Sequence, residues 1–417
     1  MTPRRVAFFT DSFHEVNGVA LTSREFVNYA RKHSLPLFSV HAGPENKISQ
    51  DGSITTFEFS RGPVRLGLEH DLAIDLMFWR FRARLRSALR EFQPDLVHIT
   101  GPGDAGWLGV LAAHELKIPL AASWHTNLHE FASRRLQHVL RFLPEPMRAG
   151  VGSLTEDTCL ALCMKFYWLA KAIFAPNPEL VELLARRTGR PAFLMSRGID
   201  TDLFSPTRRN RTDDAFVIGY VGRLSPEKNV RMLAELEREL REMGMPQFRF
   251  LIVGEGSERS WLRQNLQNAE LPGILRGEPL ARAYASMDAF VFPSVTDTFG
   301  NVVLEATAAG VPAIVSDAGG PKFLVEEGKT GFVASTPREF AAAVMRLHRE
   351  SELRKTMGSF ARRAAEQFSW DRVIGGVYEN YDLCFRLQLA TGALHDRPMQ
   401  RWCASTPPAL SLRQGRR

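Results

Sequence analysis

The stretch AFVFPSVTDTFGNVVLEATAAGVPAIVSD, residues 289–317, contains one complete unit of a parallel α/β sheet. The run AFVFPS predicts a strand, the segment from Gly300 to Gly310 has the apolar pattern of a helix, and PAIVSD predicts the next strand. A helix that begins near Gly300 has unpaired N–H groups at its N-terminus, which attract anions. The loop that carries Asp297 is therefore a candidate ligand-binding loop.

Two carboxylates flank this predicted helix N-terminus. Asp297 lies just before the helix, and Glu305 lies on its second turn. Acids in these positions can bind hydroxyl groups of a ligand whose phosphates lie at the helix end. The alternative is an N-cap aspartate and a solvated glutamate, and this pattern alone does not distinguish the two.

Short apolar runs alternate with helical patterns along the chain, which predicts an α/β protein with two doubly wound, Rossmann-like sheets. The predicted strands are RVAFFT, PLFSVHA, TTFEF, DLVHIT and PLAASWH in the first half, and FVIGYVG, FRFLIVG, AFVFPS and PAIVSD in the second. A Pro- and Gly-rich connector separates an N-terminal domain, 1–185, from a C-terminal domain, 195–368. An amphipathic helix is predicted for 369–390. Two such domains facing one another would form a ligand cleft.

The composition is typical of a globular protein, with 44% hydrophobic and 24% charged residues among 417. The four cysteines are few and show no metal-ligand spacing, which fits a reducing compartment. No His, Cys and Asp cluster in the sequence indicates a metal, and no metal or cofactor is predicted. The N-terminus is expected to form the first strand and not a signal peptide, and no membrane span is expected. The net charge of +7 comes largely from a basic tail, 391–417, which is predicted to be disordered. This tail is either a solubilising extension or a contact for an anionic surface.

The segment YVGRLSPEKN, residues 220–229, connects a strand to a helix. Gly222 allows close approach of the backbone to a ligand, and Arg223 and Lys228 can bind phosphate oxygens. The alternative is that both cations are ordinary surface charges. Gly254, in the strand–turn–helix segment LIVGEGSERSWL, is a second candidate for a ligand loop, although this pattern recurs in many α/β proteins.

Two features of the first half also indicate ligand binding. In TDSFHEVNGVALTS, residues 10–23, Asn17 and Gly18 are expected to adopt left-handed backbone in a loop over a ligand, and a plain Asn-Gly turn is the alternative. His125 follows the strand PLAASWH and is expected to face the cleft, with a structural histidine as the alternative.

Two amphipathic segments, 74–92 and 131–147, carry arginines beside an apolar stripe. A solvated basic face on a core helix is one interpretation, and a surface that docks on anionic lipid is the other. The candidate acceptor or membrane contacts are Arg80, Arg84, Arg134 and Arg135.

Several motifs occur together in a specific order: FFTDSFHEVNGVA, ASWHTN, MSRGIDTDLFSP, GYVGRLSPEKN, LIVGEG, FPSVTDTFGNVVLEATAAGVPAIVSDAGG and GKTGFV. In order and spacing they resemble the retaining family-4 glycosyltransferases with a GT-B fold, over residues 4–385. The resemblance is nearest to the branch of lipid α-mannosyltransferases and sulfoquinovosyl or glucosyl diacylglycerol synthases.

This resemblance implies donor binding on the C-terminal domain, acceptor binding mainly on the N-terminal domain, and transfer without a bound metal. It implies that Arg223 and Lys228 clamp the diphosphate, that Glu305 binds the ribose, that Asp297 contacts the donor sugar, and that His125 lies near the transferred sugar. The expected catalytic residues are His125, Asp297, Arg223 and Lys228, and the expected donor-binding residues are Gly18, Gly222, Arg223, Lys228, Gly254, Phe299, Gly300, Asn301 and Glu305.

The chain departs from the family pattern at two positions. Asp297 stands where Glu is usual, which shortens the side chain by one methylene, and Asn17 stands where the N-terminal loop usually has a first glycine. Asp297 keeps the negative charge, but because its side chain is shorter the sugar must lie closer or a water must bridge the gap.

The function expected from this resemblance is hexosyl transfer to a lipid or polyprenyl-linked glycan on the cytoplasmic face of a membrane. Mannose from GDP-mannose is favoured, and glucose or a related sugar from a UDP donor comes second. No nucleic-acid partner is expected. The alternatives are a GT-B-type sugar-nucleotide epimerase or hydrolase, and a non-catalytic, membrane-associated binding protein.

Overall fold

A computed structural model describes residues 4–15, 17–62, 65–67, 73–75, 77–125 and 145–391. Its N-terminal sheet contains β1 (Val6–Thr10), β2 (Leu37–Ala42), β3 (Lys47–Asp51), β4 (Ile54–Phe59), β7 (Leu96–Ile99), β8 (Leu120–Ser123), β9 (Ala172–Ala175) and β10 (Ala192–Leu194). A separate hairpin pairs β5 (Arg65–Gly67) with β6 (Ala73–Asp75). The strand order in the eight-stranded sheet is β10-β9-β8-β7-β1-β2-β4-β3, and within this sheet, as far as it is described, only the β3–β4 pair is antiparallel.

The helices of this first half are α1 (Gly18–Lys32), α2 (Arg82–Phe92), α3 (Asp104–Leu116), α4 (Glu145–Trp168) and α5 (Pro178–Thr188). The strands β1, β7, β8 and β9 are buried throughout. Strands buried on both faces need apolar residues without alternation, which is why these segments are short continuous apolar runs.

The second sheet is wholly parallel and has the order β13-β12-β11-β14-β15-β16. Its strands are β11 (Phe216–Val221), β12 (Phe248–Val253), β13 (Ala269–Gly273), β14 (Ala289–Phe292), β15 (Ala313–Ser316) and β16 (Gly331–Ala334). Its helices are α6 (Met232–Glu242), α7 (Arg259–Asn265), α8 (Gly277–Ala285), α9 (Asn301–Ala308), α10 (Pro337–Arg349) and α11 (Ser351–Ala365).

The strand order of each sheet reverses at one place. In the second sheet, chain order runs outward in both directions from the β11–β14 pair. In the first sheet the reversal falls at the β1–β7 pair, with β8 to β10 beyond β7 and with β2, β4 and β3 beyond β1. Connections leave in opposite directions at such a switch point, which opens a crevice at the carboxyl ends of the two strands. The loops after β11 and β14 contain Arg223, Lys228 and Asp297, so the topology brings these distant segments together.

The last helix, α12 (Trp370–Thr391), returns to the first domain. Its residues Ile374, Val377 and Tyr381 are fully buried with Phe8 and Phe26 in the N-terminal core. This packing places the apolar face of the helix out of water, as its sequence pattern predicts.

Two of the predicted domain boundaries can be compared with these helices and strands. Strand β10 pairs with β9 and so extends the first sheet beyond the predicted boundary at 185. The predicted disordered tail lies outside the described residues apart from Thr391, the last residue of α12. None of the described helices is both long enough and apolar enough to span a bilayer.

Candidate active site

Lys228 and Asp297 meet at the β11–β14 switch point. The Lys228 Nζ donates to Asp297 Oδ1 at 2.7 Å, and about a fifth of each side chain is exposed. Asp297 Oδ2 is buried and has no hydrogen-bond partner among the described residues. The site therefore contains an ionic pair with one unmet acceptor, and a buried acceptor without a donor costs about 1–3 kcal/mol.

The helix after Asp297 begins where the sequence predicts it. Gly300 has φ 99° and precedes α9, which starts at Asn301. Other residues rarely adopt this left-handed backbone, so glycine permits the sharp entry into the helix. The amides of Asn301 and Val302 head α9, where N–H groups have no intrahelical acceptor and favour a negative ligand.

The loop before α9 is held in place by the loop after β15. The Gly320 N–H donates to the Asp297 carbonyl at 2.6 Å. A Cβ at Gly320 would lie 2.0 Å from the Thr298 carbonyl oxygen. Gly320 thus permits close contact between two protein loops.

Glu305 lies on α9 and is partly buried. It accepts a hydrogen bond from the Tyr284 hydroxyl at 2.7 Å, and burial raises the pKa of its carboxyl to about 7. Desolvation disfavours the charged form, and the single tyrosine bond only partly offsets this cost. Glu305 is therefore poised to ionise near neutral pH. Tyr284, which the sequence analysis missed, lies on α8 and carries no local motif.

The glycines of the two neighbouring loops are fixed by backbone packing. Gly254 has φ 145°, and a Cβ there would lie 1.9 Å from the Gly222 carbonyl oxygen. Gly222 has φ 153° and is followed by Arg223, whose carbonyl accepts a bond from the buried Tyr220 hydroxyl at 3.1 Å. The Arg223 side chain is exposed at the carboxyl end of β11. The close approach predicted for Gly222 and Gly254 exists, and it is between two protein loops.

The expectation of left-handed backbone at Asn17 and Gly18 is wrong. Asn17 is extended, with φ −149°, and its side chain accepts from the Ala20 N–H as the N-cap of α1. Capping satisfies an otherwise unpaired helix amide, so it competes with the turn conformation. Gly18 is the first residue of α1, and a Cβ there would lie 3.0 Å from Asn301 Nδ2. Gly18 thus lets the N-terminus of α1 approach that of α9 across the two domains.

His125 lies at the domain interface, but both of its ring nitrogens are used within the protein. Arg197 Nη2 donates to His125 Nδ1 at 3.0 Å, and His125 Nε2 bonds to Ser123 Oγ at 2.7 Å. Because guanidinium groups only donate, the Nδ1 must be an acceptor and the Nε2 carries the proton. Burial, with the positive charge of Arg197, holds the pKa of His125 well below its usual range. In this arrangement both ring nitrogens are bonded within the protein. The assignment of His125 as a catalytic residue near the transferred sugar stays a prediction.

The His125 contacts continue as a chain of buried polar groups. Ser123 Oγ bonds to His98 Nε2 at 3.0 Å, and His98 Nδ1 bonds to the hydroxyl of Tyr381 on α12. Arg197, which is also buried, has its pKa lowered to about 10 by desolvation. This chain of hydrogen bonds connects the C-terminal helix α12 to the cleft. Arg197 belongs to the segment MSRGID, which the sequence analysis used only for the resemblance.

The two domains meet at the Asp297 loop. Thr298 Oγ1 donates to the His125 carbonyl at 2.9 Å, and Asn177 Nδ2 donates to the Thr298 carbonyl at 2.7 Å. Nearby, Lys322 Nζ pairs with Glu179 at 2.7 Å. Phe299 is buried beneath this contact. The sugar-binding loop predicted from the sequence is therefore also the interdomain contact.

The predicted basic surface is only partly described. Arg80 pairs with the buried Asp75 at 2.6 Å, and Arg84 donates to the Asn46 carbonyl at 3.2 Å. Both arginines thus have contacts within the N-terminal domain. Arg134 and Arg135 lie outside the described residues.

No group of three metal-ligating side chains forms around Lys228 and Asp297 in the described part of the chain. Whether the reaction needs a metal is not decided by this geometry, and metal independence stays a prediction. One such group, His14, His41 and Glu58, occurs in the N-terminal domain.

Comparison with known proteins identifies the class. Residues 16–203 match the description "Glycosyltransferase Family 4", and residues 215–350 match "Glycosyl transferases group 1". The fold is GT-B: sucrose-phosphate synthase from Thermosynechococcus elongatus has a TM-score of 0.68 at 18% identity, covering 92% of this chain and 100% of that one.

Among curated relatives, the GDP-mannose-dependent alpha-mannosyltransferase of Mycolicibacterium smegmatis is 34% identical over 311 residues, which is 72% of this chain and 76% of the relative. Sulfoquinovosyl transferase SQD2 of Arabidopsis thaliana is 27% identical over 394 residues, or 88% of this chain and 71% of the relative. This chain belongs to the family-4 glycosyltransferases, and it is an enzyme of that class.

Proposed function

We propose that this enzyme transfers mannose from GDP-mannose, with retention of anomeric configuration, to a lipid or polyprenyl-linked glycan. The choice of donor is supported by relatives named as GDP-mannose-dependent alpha-mannosyltransferases at 30–34% identity. The lipid acceptor is what the resemblance to the branch of lipid α-mannosyltransferases and diacylglycerol synthases implies, and a sulfoquinovosyl transferase is among the relatives. Glucose or a related sugar from a UDP donor is the second choice.

The observation that carries the proposal is the Lys228–Asp297 contact of 2.7 Å at the N-terminus of α9, in the interdomain cleft. Negative charge grows on the leaving diphosphate, and Lys228, Arg223 and the helix amides are oriented donors for it. The reacting sugar gains positive charge, which the Asp297 carboxylate favours. Glu305 is assigned to the ribose hydroxyls, as the resemblance implies.

The unmet Oδ2 of Asp297 supports a sugar contact. A donor-sugar hydroxyl that bonded to this oxygen would remove the cost of the unsatisfied acceptor. Because the atom is buried here, sugar binding requires movement of the loop or of the domains. The carbonyl of His125 accepts a hydrogen bond at the domain interface, and its ring is held neutral by burial and by the charge of Arg197.

We further propose that no divalent ion bridges the diphosphate and that the leaving phosphate accepts the acceptor's proton. Arg223 and Lys228 supply two positive charges where another enzyme would use a metal. Addition of Mg²⁺ or Mn²⁺ to chelator-treated enzyme should leave the rate unchanged. A rate that depends on either ion would overturn this part of the proposal.

We place the enzyme on the cytoplasmic face of a membrane. Support comes from the arginines of α2 and from two exposed apolar side chains directly before it, Trp79 and Met77, which are 55% and 44% exposed. Basic residues next to exposed aromatic side chains favour anionic lipid surfaces.

Two measurements test the proposed donor and reaction. A thermal-shift panel of GDP, UDP and ADP with their sugars should show the largest rise in Tm with GDP and GDP-mannose, because a bound ligand stabilises the folded state. Product analysis by NMR with a polyprenyl or diacylglycerol-linked acceptor should show an α-mannoside. Stabilisation by UDP alone would transfer the proposal to a UDP sugar, and release of free mannose without acceptor would identify a hydrolase.

A further inference from the structure

Glu58 stands out among the buried carboxylates of the described residues. Six acidic side chains are buried there, and five of them pair with an arginine. These pairs are Asp75 with Arg80, Asp104 with Arg61, Glu237 with Arg241, Glu258 with Arg231, and Asp288 with Arg211. A buried carboxylate without a cation is costly, which explains the five pairs. Glu58 has no Lys or Arg partner in the described part of the chain.

The groups around Glu58 are two histidines and one amide. The Glu45 N–H donates to Glu58 Oε1 at 3.1 Å, and His14 Nε2 lies 3.7 Å from Glu58 Oε2. His41 is the direct partner of Glu58 in the parallel β2–β4 register, so both side chains emerge on the same face. Lys47 lies opposite Glu58 on β3, but its ammonium bonds to Glu45 at 3.0 Å.

His41 also differs from the other buried histidines. His98 and His125 each use both ring nitrogens in bonds to other side chains. The contact recorded for His41 is a 3.3 Å approach of Nδ1 to the carbonyl of the next residue. Its ring stacks on Phe13 with centroids 4.0 Å apart. Stacking fixes the plane of the ring, and one ring nitrogen lies within 4.8 Å of a ligand atom on each of His14 and Glu58.

The structure assigns His14, His41 and Glu58 as a binding site for a transition-metal ion, with Zn²⁺ as the expected occupant. One ligand atom from each residue lies within 4.8 Å of the others. Two imidazoles and one carboxylate suit zinc, which binds such groups at about 2.0–2.2 Å with water in a fourth position. His14 is half-exposed, so rotation of its side chain can close the remaining distance.

The ion would connect the segment after β1 to strands β2 and β4. That segment leads into α1, whose first residue, Gly18, lies against Asn301 of the donor-binding helix. The sequence analysis found no metal ligands here because the three residues lie far apart in the chain. All three belong to the N-terminal domain, whereas Arg223 and Lys228 belong to the C-terminal domain.

The test is zinc binding by the full chain after removal of metal with a chelator. Isothermal titration with ZnSO₄, and metal analysis after desalting, should show a site filled in a 1:1 ratio. His14→Ala and Glu58→Gln should each weaken binding at this site by at least about tenfold, because each removes a ligand. His114→Ala, which removes an exposed histidine on α3, should bind as wild type.

Substitution with Co²⁺ gives an independent readout. A site with nitrogen and oxygen ligands should show visible ligand-field absorption that His14→Ala removes. His14 is exposed, so this variant should keep the wild-type circular dichroism spectrum. Absence of zinc binding by wild type, or unchanged affinity in His14→Ala, would overturn the assignment.

Discussion

The two oxygens of the Asp297 carboxylate have different surroundings. Oδ1 is bonded to Lys228, and Oδ2 is buried without a hydrogen-bond partner among the described residues. The sequence predicted both residues as part of one site, although 69 positions separate them. It did not predict that they pair with each other. In the proposed function, this pairing holds Lys228 in place before a diphosphate binds, and the pair must rearrange on binding.

Lys228→Ala should lower kcat by about 100-fold or more, because one of the charges that offset the leaving diphosphate is lost. The same change leaves Asp297 without its cation in the cleft. Steady-state kinetics with GDP-mannose measure the effect. Lys355→Ala, which removes an exposed lysine on α11, is the matched control. Turnover within a few-fold of wild type in Lys228→Ala would refute the clamp.

Glu305 gives a pH dependence at the residue scale. Its pKa of about 7 in the folded protein means that its carboxyl is largely protonated at pH 6 and largely ionised at pH 8. The ionised form is the better acceptor for ribose hydroxyls, so affinity for GDP-mannose should rise by about tenfold between these pH values. The diphosphate of a nucleotide sugar has no group that titrates in this range.

The control for this prediction is Glu305→Gln, whose affinity should be lower and flat with pH. The effect of rising pH on the free energy of unfolding is opposite in sign to its effect on donor affinity. Because the folded protein holds the proton more tightly than the unfolded chain does, the contribution of Glu305 to the free energy of unfolding falls as pH rises from about 4.5 to about 7. If the affinity for GDP-mannose changed with pH in the same way in wild type and in Glu305→Gln, Glu305 would not be the ribose-binding residue.

At the scale of elements, the site consists of loops that fit together by backbone contact. The turn after β12 rests on the turn after β11 through Gly254 and Gly222, and the turn after β15 rests on the Asp297 loop through Gly320. The sequence analysis identified the turns at Gly222 and Gly254 and predicted that these glycines approach a ligand, whereas here they approach each other. A glycine that approaches a ligand and one that approaches a neighbouring loop look the same in a sequence.

Gly254→Ala should destabilise the protein by about 2–4 kcal/mol and weaken nucleotide binding, since the new Cβ would collide with the Gly222 carbonyl at a backbone angle unfavourable for alanine. Chemical denaturation and the GDP thermal shift measure the two effects. Gly376→Ala on α12 is the control: its Cβ would meet no atom within 4 Å, and alanine in a helix should stabilise by about 0.5–1 kcal/mol. A stable Gly254→Ala protein would contradict the packing described.

At the scale of the whole molecule, the loop that carries Asp297 is also the domain contact. Thr298 bonds to His125 and accepts from Asn177, both of the first domain, while the adjacent Asp297 faces Lys228 of the second. Closure of the cleft and assembly of the site are therefore coupled. The buried chain of hydrogen bonds from Tyr381 to His125 adds a second connection, through the returning helix α12.

Thr298→Val should favour opening of the two domains. It removes one interdomain hydrogen bond, worth about 0.5–1.5 kcal/mol, so the closed population should fall by up to about tenfold. Small-angle scattering should report a larger radius of gyration, and kcat/KM should fall by a similar factor while the Tm changes little. Thr212→Val, at an exposed position shortly before β11, is the control. An unchanged scattering profile would show that this bond does not hold the domains together.

The sequence alone determined two doubly wound α/β sheets, the entry of helix α9 at Gly300 and the amphipathic final helix, because each depends on local patterns: apolar runs, a glycine turn and a helix period. The GT-B class followed from the order of the motifs and the family resemblance. The assignment of Arg223, Lys228, Asp297 and Glu305 to one site has the same origin and stays a prediction. Tertiary structure alone decided the N-cap at Asn17, the neutral and fully bonded ring of His125, and the meeting of His14, His41 and Glu58. These outcomes depend on burial and on partners distant in the chain, because a side chain's protonation and hydrogen bonds are set by whatever packs against it.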